Sequence, residues 1–177
     1  MSGIKKCSII VLLLMMPILT EAQDIGQYLT QEQFLSETFT APAPKAGVLW
    51  LTKDIARQAT KILGHDPIQL RQRYWKQADK TAWILEEVGK EEPITAGFVV
   101  TAGKISQVRV MTYRESRGGE VRYPAFLKQY LGAGLQDNYV LDRNVDGISG
   151  ATLSVSAMSR MARLALYYDA ISRSESN

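Results

Sequence analysis

The apolar positions of the chain first follow a helical period and then switch to a period of two. Thr30-Gln31-Glu32-Gln33 has the spacing of a capping box, which predicts a short helix running to about Thr38. Ala41-Pro42-Ala43-Pro44 reads as a stiff connector. Leu51, Ile55, Ala59 and Ile62 recur at helical spacing, so a second helix is expected from about Val48 to Leu63, stopped by Gly64. A third is expected from Pro67 to about Gln77, with Asp66 as its N-cap. The pattern then reads as strands: Ala82 to Val88, Ile94 to Thr101, and Ile105 to Tyr113, the last two joined by an Ala102-Gly103-Lys104 turn. In the return strand Ile105, Gln107, Arg109 and Met111 alternate with Ser106, Val108, Val110 and Thr112, which predicts one aliphatic, half-buried face. A short helix over Pro124 to Leu131, a polar loop over Gln136 to Val145 and a long helix from Leu153 to about Ser172 complete the chain. Ala157, Met161, Leu164 and Tyr168 form a core stripe on that last helix. Helices and antiparallel strands are segregated, which predicts an α+β fold: a small antiparallel sheet packed by helices, with an N-terminal helical segment.

The first residues follow a different logic. Lys5 and Lys6 precede an apolar stretch from Ile9 to Leu19, and Thr20-Glu21-Ala22 places small residues for a cut after Ala22. This reads as a secretory signal peptide over residues 1–22, with export to the periplasm or another extracytoplasmic space. Pro17 and the short apolar length weigh against a membrane span; an uncleaved N-terminal anchor is the alternative, and it would associate the protein with the membrane.

Composition narrows the chemistry. With 177 residues, 46% of them hydrophobic and 22% charged, the chain is long enough to bury a core of its own. Its net charge of +3 comes from scattered Lys and Arg, with no basic run to suggest nucleic acid. The sole cysteine, Cys7, lies in the expected signal, so its removal leaves no disulfide, thiol nucleophile, iron–sulfur cluster or c-type haem ligand. A single histidine, His65, excludes a clustered-histidine metal site and reads as a loop or capping residue. Any redox cofactor of this chain is therefore expected to be organic.

The most specific run is Asp146-Gly147-Ile148-Ser149-Gly150-Ala151-Thr152, at the junction of the polar loop and the last helix. Such a junction puts a hydroxyl on the first helical turn, where unpaired N–H groups and the positive end of the helix dipole favour an anion such as a phosphate. Gly147 and Gly150 let a bulky ligand approach the backbone. The plainer reading is an Asx-turn leading into a helix that Ser149 or Thr152 caps.

The run resembles the flavinylation motif of the FMN-binding domain family, Asp-x-x-Ser/Thr-Gly-Ala-Thr/Ser. Upstream, Ala96-Gly97-Phe98-Val99-Val100 with Gly103-Lys104-Ile105-Ser106-Gln107-Val108 is similar to the hairpin of that family. Tyr113 to Val121 and Phe126 to Gly132 resemble the segments that follow it. The resemblance covers about residues 82–170 in order, so the expected organisation is a signal (1–22), an N-terminal helical segment packed on the domain (23–80) and an FMN-binding domain (81–177). It implies FMN linked through its phosphate to Thr152 by a dedicated flavin transferase. It also implies that Ser149, Gly150 and Ala151 bond the phosphate oxygens. Asp146 then either positions the loop for the transferase or merely initiates a turn. Glu115 is a candidate for the ribityl chain or ring edge and Arg117 for a reduced, anionic flavin. Tyr113, Tyr123 and Tyr139 are candidates for stacking, with plain packing as their alternative. Arg160 and Arg163 are either solvated or contact a partner.

Where members in membrane complexes read Glu-Thr-Pro-Gly-Leu-Gly, this chain has Glu115-Ser116-Arg117-Gly118-Gly119-Glu120, which points away from the sodium-pumping and Rnf-type complexes. The functional expectation is an exported flavoprotein that passes electrons from a membrane or exported redox partner. No nicotinamide fingerprint supports an independent dehydrogenase. The alternatives are a non-redox binding or structural module, in which the Ser-Gly-Ala-Thr run only caps a helix, and a small flavin-dependent reductase.

Overall fold

In the computed structural model, which describes residues 26–174, five strands form one antiparallel sheet in chain order, β1-β2-β3-β4-β5. The expected signal peptide and Cys7 lie outside the described residues. The strands are β1 Ala46–Trp50, β2 Arg71–Gln77, β3 Lys80–Val88, β4 Pro93–Thr101 and β5 Lys104–Tyr113. The helices are α1 Gln31–Thr38, α2 Lys53–Leu63, the single turn α3 Pro124–Leu127 and the long α4 Thr152–Ser174. The architecture is α+β, and among the described residues no helix is long and apolar enough to cross a membrane.

The capping box forms: the Gln33 N–H donates to Thr30 Oγ1 at 3.2 Å, and the Thr30 N–H to Gln33 Oε1 at 2.8 Å. The second helix differs from expectation at its start. Residues 46–50 are the strand β1, and α2 begins at Lys53 behind Thr52, whose Oγ1 accepts the Ile55 N–H at 3.4 Å. β-Branched Val48 and aromatic Trp50 favour the pleated sheet, and the Thr52 cap cuts the helical spacing short. α2 does end at Gly64, which takes the left-handed conformation at φ 86°.

No helix follows Pro67. Residues 71–77 are β2, and Asp66 accepts the Thr60 hydroxyl at 2.9 Å instead of capping a helix. Pairing with β3 puts Tyr74 opposite Trp83 and Trp75 opposite Ala82, a tertiary reward that the local spacing does not reveal. The segment before β3 therefore adds two strands to the sheet, one in place of the third expected helix and one ahead of the shortened α2.

β5 departs from simple alternation at two bulges. Val100 pairs with Ile105 and Val99 with Gln107, leaving Ser106 as an extra residue; Met111 is likewise extra between the Ala96–Val110 and Thr95–Thr112 pairs. The first bulge returns Ile105 to the side of Val108 and Val110, so the expected grouping of Ile105 with Gln107, Arg109 and Met111 does not form.

The sheet is covered on both faces. On one, Phe34, Leu35 and Phe39 from α1 and its end pack on Trp75, Ala82, Val99 and Met111. Phe34 sits directly on Gly97, where a Cβ would come within 2.6 Å of the ring. On the other face α2, α3 and α4 bury Trp83, Phe98, Ile105, Val110 and the stripe Ala157, Met161, Leu164 and Tyr168. Trp83 stacks on Tyr74 at 4.9 Å, and its Nε1–H donates to Thr81 at 2.9 Å. Thr81 in turn donates to the buried Asp169 at 2.6 Å, so the polar groups of this core are satisfied.

Candidate functional site

The start of α4 is presented by a tight turn. The Ala151 N–H donates to the Ile148 carbonyl at 3.0 Å, closing a turn over Ile148-Ser149-Gly150-Ala151 in which Gly150 adopts φ 79°. That left-handed value at the third position is the one a glycine accepts without a steric penalty. Ala151 is buried and Thr152 exposed, so the turn tucks the methyl inward and offers the hydroxyl to solvent. A methyl cannot accept an N–H, and neither Ser149 nor Thr152 makes a side-chain hydrogen bond among the described residues. By contrast, Thr30 and Thr52 cap α1 and α2 with their side chains. The longest helix among the described residues thus begins with no side chain bonded to its first N–H groups.

The loop after β5 lies against this helix start. Gly118, at φ 76°, makes the contact: a Cβ there would stand 2.8 Å from the Ala151 Cβ and 3.0 Å from the Tyr113 hydroxyl oxygen. Tyr113 is 5% exposed; its hydroxyl donates to the Arg117 carbonyl and lies 3.2 Å from Ser154 Oγ. Burial is the main cause that raises its pKa above the ordinary phenol value, so it stays a neutral donor. Glu115 reaches the β3–β4 turn, where its Oε1 accepts the N–H groups of Lys90, of Glu91 at 2.8 Å and of Glu92 at 3.2 Å. Burial pushes that carboxyl up, but the backbone donors outweigh it and the net shift is downward.

Three segments therefore enclose a cleft of about 530 Å³, lined by Lys90, Glu91, Glu115, Ser116, Arg117 and the run Gly150 to Ser154. Its size falls within the range typical of small-molecule sites. Two cations, Lys90 and Arg117, share its wall with the exposed hydroxyl of Thr152.

Of the residues singled out by sequence, Thr152, Gly150, Ala151, Glu115 and Arg117 line this cleft. Tyr113 supports it from below. Ser149 and Asp146 are exposed on the approach and are not part of its lining, and the Asp146 N–H donates to Gln129 Oε1 at 2.8 Å. The aromatic candidates do not converge. Tyr139 meets Tyr167 edge-on at 5.6 Å, and Tyr123 is half-exposed in a separate groove where Arg122 lies 5.4 Å from its ring. Tyr28 faces the same guanidinium at 4.7 Å. Lys90, Glu91, Ser116, Leu153 and Ser154 line the cleft without having been marked by sequence. Only the last two adjoin the motif; Lys90 and Glu91 arrive through the β3–β4 turn, which carries no motif.

His65, Arg160 and Arg163 are structural. His65 does not cap a helix: its Nε2 lies 3.0 Å from Glu87 Oε1, and Arg160 donates to the same oxygen at 2.8 Å. Glu87, only 3% exposed in its side chain, thus ties the α2–β2 loop and α4 to β3. Arg163 donates to the Ile62 carbonyl at 3.0 Å, joining α4 to α2. Neither arginine is simply solvated.

Among the described residues no cluster of His, Cys, Asp or Glu could hold a metal ion. No curated protein matches the chain. Residues 89–167, spanning the β3–β4 turn, the hairpin β4–β5, the loop on the helix start and most of α4, match the family model of the FMN-binding domain.

Proposed function

We propose that this protein carries FMN in phosphoester linkage to Thr152 and serves as an exported electron carrier. The observation that carries the reading is the exposed Thr152 hydroxyl on the first turn of α4, at a cleft lined by Arg117, Lys90, Glu91 and Glu115 and with no side chain capping the helix. The residues present fit the group. A phosphate on Thr152 would keep one negative charge, and the open N–H groups of the first turn are donors of the right kind to hold it. Arg117 adds positive charge along the wall, where Lys90 is paired with Glu91 at 3.0 Å. Glu115 is committed to the β3–β4 turn, so its role is to hold Lys90 and Glu91 in place rather than to bind the ribityl chain.

In maturation, a flavin transferase would deliver the flavin phosphate to Thr152 Oγ1. The donor is an activated flavin phosphoanhydride: its P–O anhydride bond and the Oγ1–H bond break, an Oγ1–P bond forms, the departing phosphate takes the proton, and the product differs from protein plus free FMN by the loss of one water. When bound, the flavin supplies reversible electron transfer that the polypeptide lacks. The protein's part is then to fix the phosphate, hold the loop of residues 114–118 on the helix start through Tyr113 and Gly118, and keep the flavin from being lost outside the cytoplasm. Export rests on the Lys5-Lys6, Ile9–Leu19 and Ala22 pattern. The donor and acceptor would be a membrane reductase and an exported protein.

The competing reading, in which the Ser-Gly-Ala-Thr run only caps a helix, requires a capping bond that Thr30 and Thr52 make at their helices and that Ser149 and Thr152 do not make at α4. The test is direct. Co-expressed with a flavin transferase and denatured, the protein should retain flavin fluorescence on a gel, with an intact mass higher by one FMN less one water. Thr152→Ala should lose both while Thr152→Ser keeps them. Flavin-free protein under those conditions would return the run to the capping role. Reduction and reoxidation by redox couples alone, without a small organic substrate, would separate a carrier from a reductase.

A further inference from the structure

β1 is an outer edge of the sheet, and its backbone orientation is fixed by one bond. The Leu51 N–H donates to the Leu70 carbonyl at 3.0 Å, so these residues form a hydrogen-bonded pair. Antiparallel alternation then makes Trp50, Val48 and Ala46, opposite Arg71, Arg73 and Trp75, non-hydrogen-bonded positions whose N–H and C=O groups point away from the sheet. The Trp50 carbonyl takes the Thr52 N–H at 3.0 Å; among the described residues no other hydrogen bond meets these edge groups. The opposite edge is better covered. Along β5 the Met111 carbonyl accepts the Tyr28 N–H at 2.8 Å and the Ile105 carbonyl accepts the Gly132 N–H at 2.7 Å.

Exposed edges are normally blunted by a lysine, a proline or a bulge. Ala46-Gly47-Val48-Leu49-Trp50 has none of these, and it exposes Val48 by 41% and Trp50 by 62%. We propose that two copies of this chain pair through β1, antiparallel about a two-fold axis at Val48, joining their sheets into one. The strand is self-complementary in that register. Val48 falls opposite its own copy, Trp50 opposite Ala46 of the second copy, and Leu49 opposite Gly47 of the second copy, so a large side chain meets a small one on each face. Each Val48 N–H meets the other's carbonyl, and each Trp50 N–H meets an Ala46 carbonyl, an arrangement only a closed, isologous contact provides. Charge does not oppose it. Arg73 and its copy would stand three strand spacings apart, about 14 Å, beyond the screening length of about 8 Å at physiological salt.

None of the cleft-lining residues lies on β1 or β2, so pairing leaves both clefts open and stands independently of the flavin reading. Sedimentation velocity over a wide concentration range tests it, on protein expressed from the full-length coding sequence and purified as cells process it. The wild type should shift from monomer to dimer, with a blue shift in the emission of Trp50, since Trp75 and Trp83 are already buried. Val48→Lys and Val48→Glu should each remain monomeric with unchanged circular dichroism, because like charges then meet on the axis. An equimolar mixture of the two should dimerise again, which a variant that merely failed to fold could not do. A wild type that stays monomeric overturns the proposal and leaves the edge to a strand of a different protein. A dimer unaffected by either charge overturns it in favour of another surface.

Discussion

Gly103 and Gly118 share a backbone angle, φ 76°, but not an environment, and the pair isolates what the contact at the helix start is worth. A Cβ on Gly103 meets nothing within 4 Å, so Gly103→Ala carries only the cost of placing an L side chain in the left-handed region, about 1–2 kcal/mol. At Gly118 the same methyl would meet the Ala151 Cβ at 2.8 Å, the Tyr113 hydroxyl at 3.0 Å and Ser154 Oγ at 3.3 Å. None of these is the end of a flexible chain: Ala151 is fixed by the turn into α4, and Tyr113 and Ser154 face each other in the core. The clash adds a cost typical of overpacking, about 1–3 kcal/mol. Gly118→Ala should therefore lower the urea unfolding free energy by about 2–5 kcal/mol, with the slope against denaturant unchanged. The protein can lessen that cost only by lifting the loop of residues 114–118 off the helix start, which opens the cleft. Covalent flavin, measured per mole of purified protein, should then fall in Gly118→Ala and hold in Gly103→Ala. Equal destabilisation by the two substitutions would refute the argument, because it would mean that the loop does not bear on Ala151.

Other groups give further tests. Arg160→Met leaves Glu87, 3% exposed, with His65 as its remaining partner; the lost bonds should cost about 1–3 kcal/mol in urea unfolding, and Glu87→Gln in the same background should recover part of it. His65 has its pKa raised, first by its bond to the Asp66 carbonyl and then by Glu87. Its stabilisation is thus complete below the unfolded value of 6.5 and is lost as pH rises through the higher folded value. Melting temperature should accordingly decline between about pH 6 and pH 8, and His65→Gln should flatten that decline. Thr81→Val leaves Asp169 and the Trp83 indole without their shared hydroxyl; each loss should cost about 1–3 kcal/mol, read as a lower midpoint together with a changed near-ultraviolet signal from Trp83.

The parts of the fold legible in the sequence are those whose signals are local. Thr30-Gln31-Glu32-Gln33 makes its capping box because both partners lie within three residues, and the β4–β5 hairpin forms around a Gly103 that takes the left-handed angle the turn needs. β1 was not legible because its partner β2 lies beyond α2, and β2 because its pairing with β3 turns on Ala78-Asp79, with no glycine to mark it. Arg71 to Gln77 has no pattern that separates strand from helix until Tyr74 finds Trp83 and Trp75 finds Ala82. The bulge at Ser106 is hidden for the same reason. It is an event of pairing between Val99-Val100 and residues 105–107, and it reverses which side chains share a face.

The same division separates the site's chemistry from its walls. A hydroxyl on the first turn of a helix is written into Gly150-Ala151-Thr152, since the turn, the buried methyl and the exposed oxygen follow from three adjacent residues. The wall opposite is not. Lys90 is brought there because Glu115, twenty-five residues later, holds the N–H groups of the β3–β4 turn, and a Cβ on Gly89 would come within 2.7 Å of the Glu115 carboxylate oxygen. Glu115 resembles a ligand-binding carboxylate in the sequence, yet its bonded oxygen is already taken by the backbone. Glu115 lines the cleft, and its Oε1 braces the β3–β4 turn that carries Lys90 and Glu91. A brace and a ligand predict different defects. Glu115→Gln keeps an acceptor for those N–H groups and should retain most of the covalent flavin, whereas Glu115→Ala releases the turn and should lower flavin loading together with stability. Loss of loading with full stability in both variants would restore Glu115 to the role of a ligand.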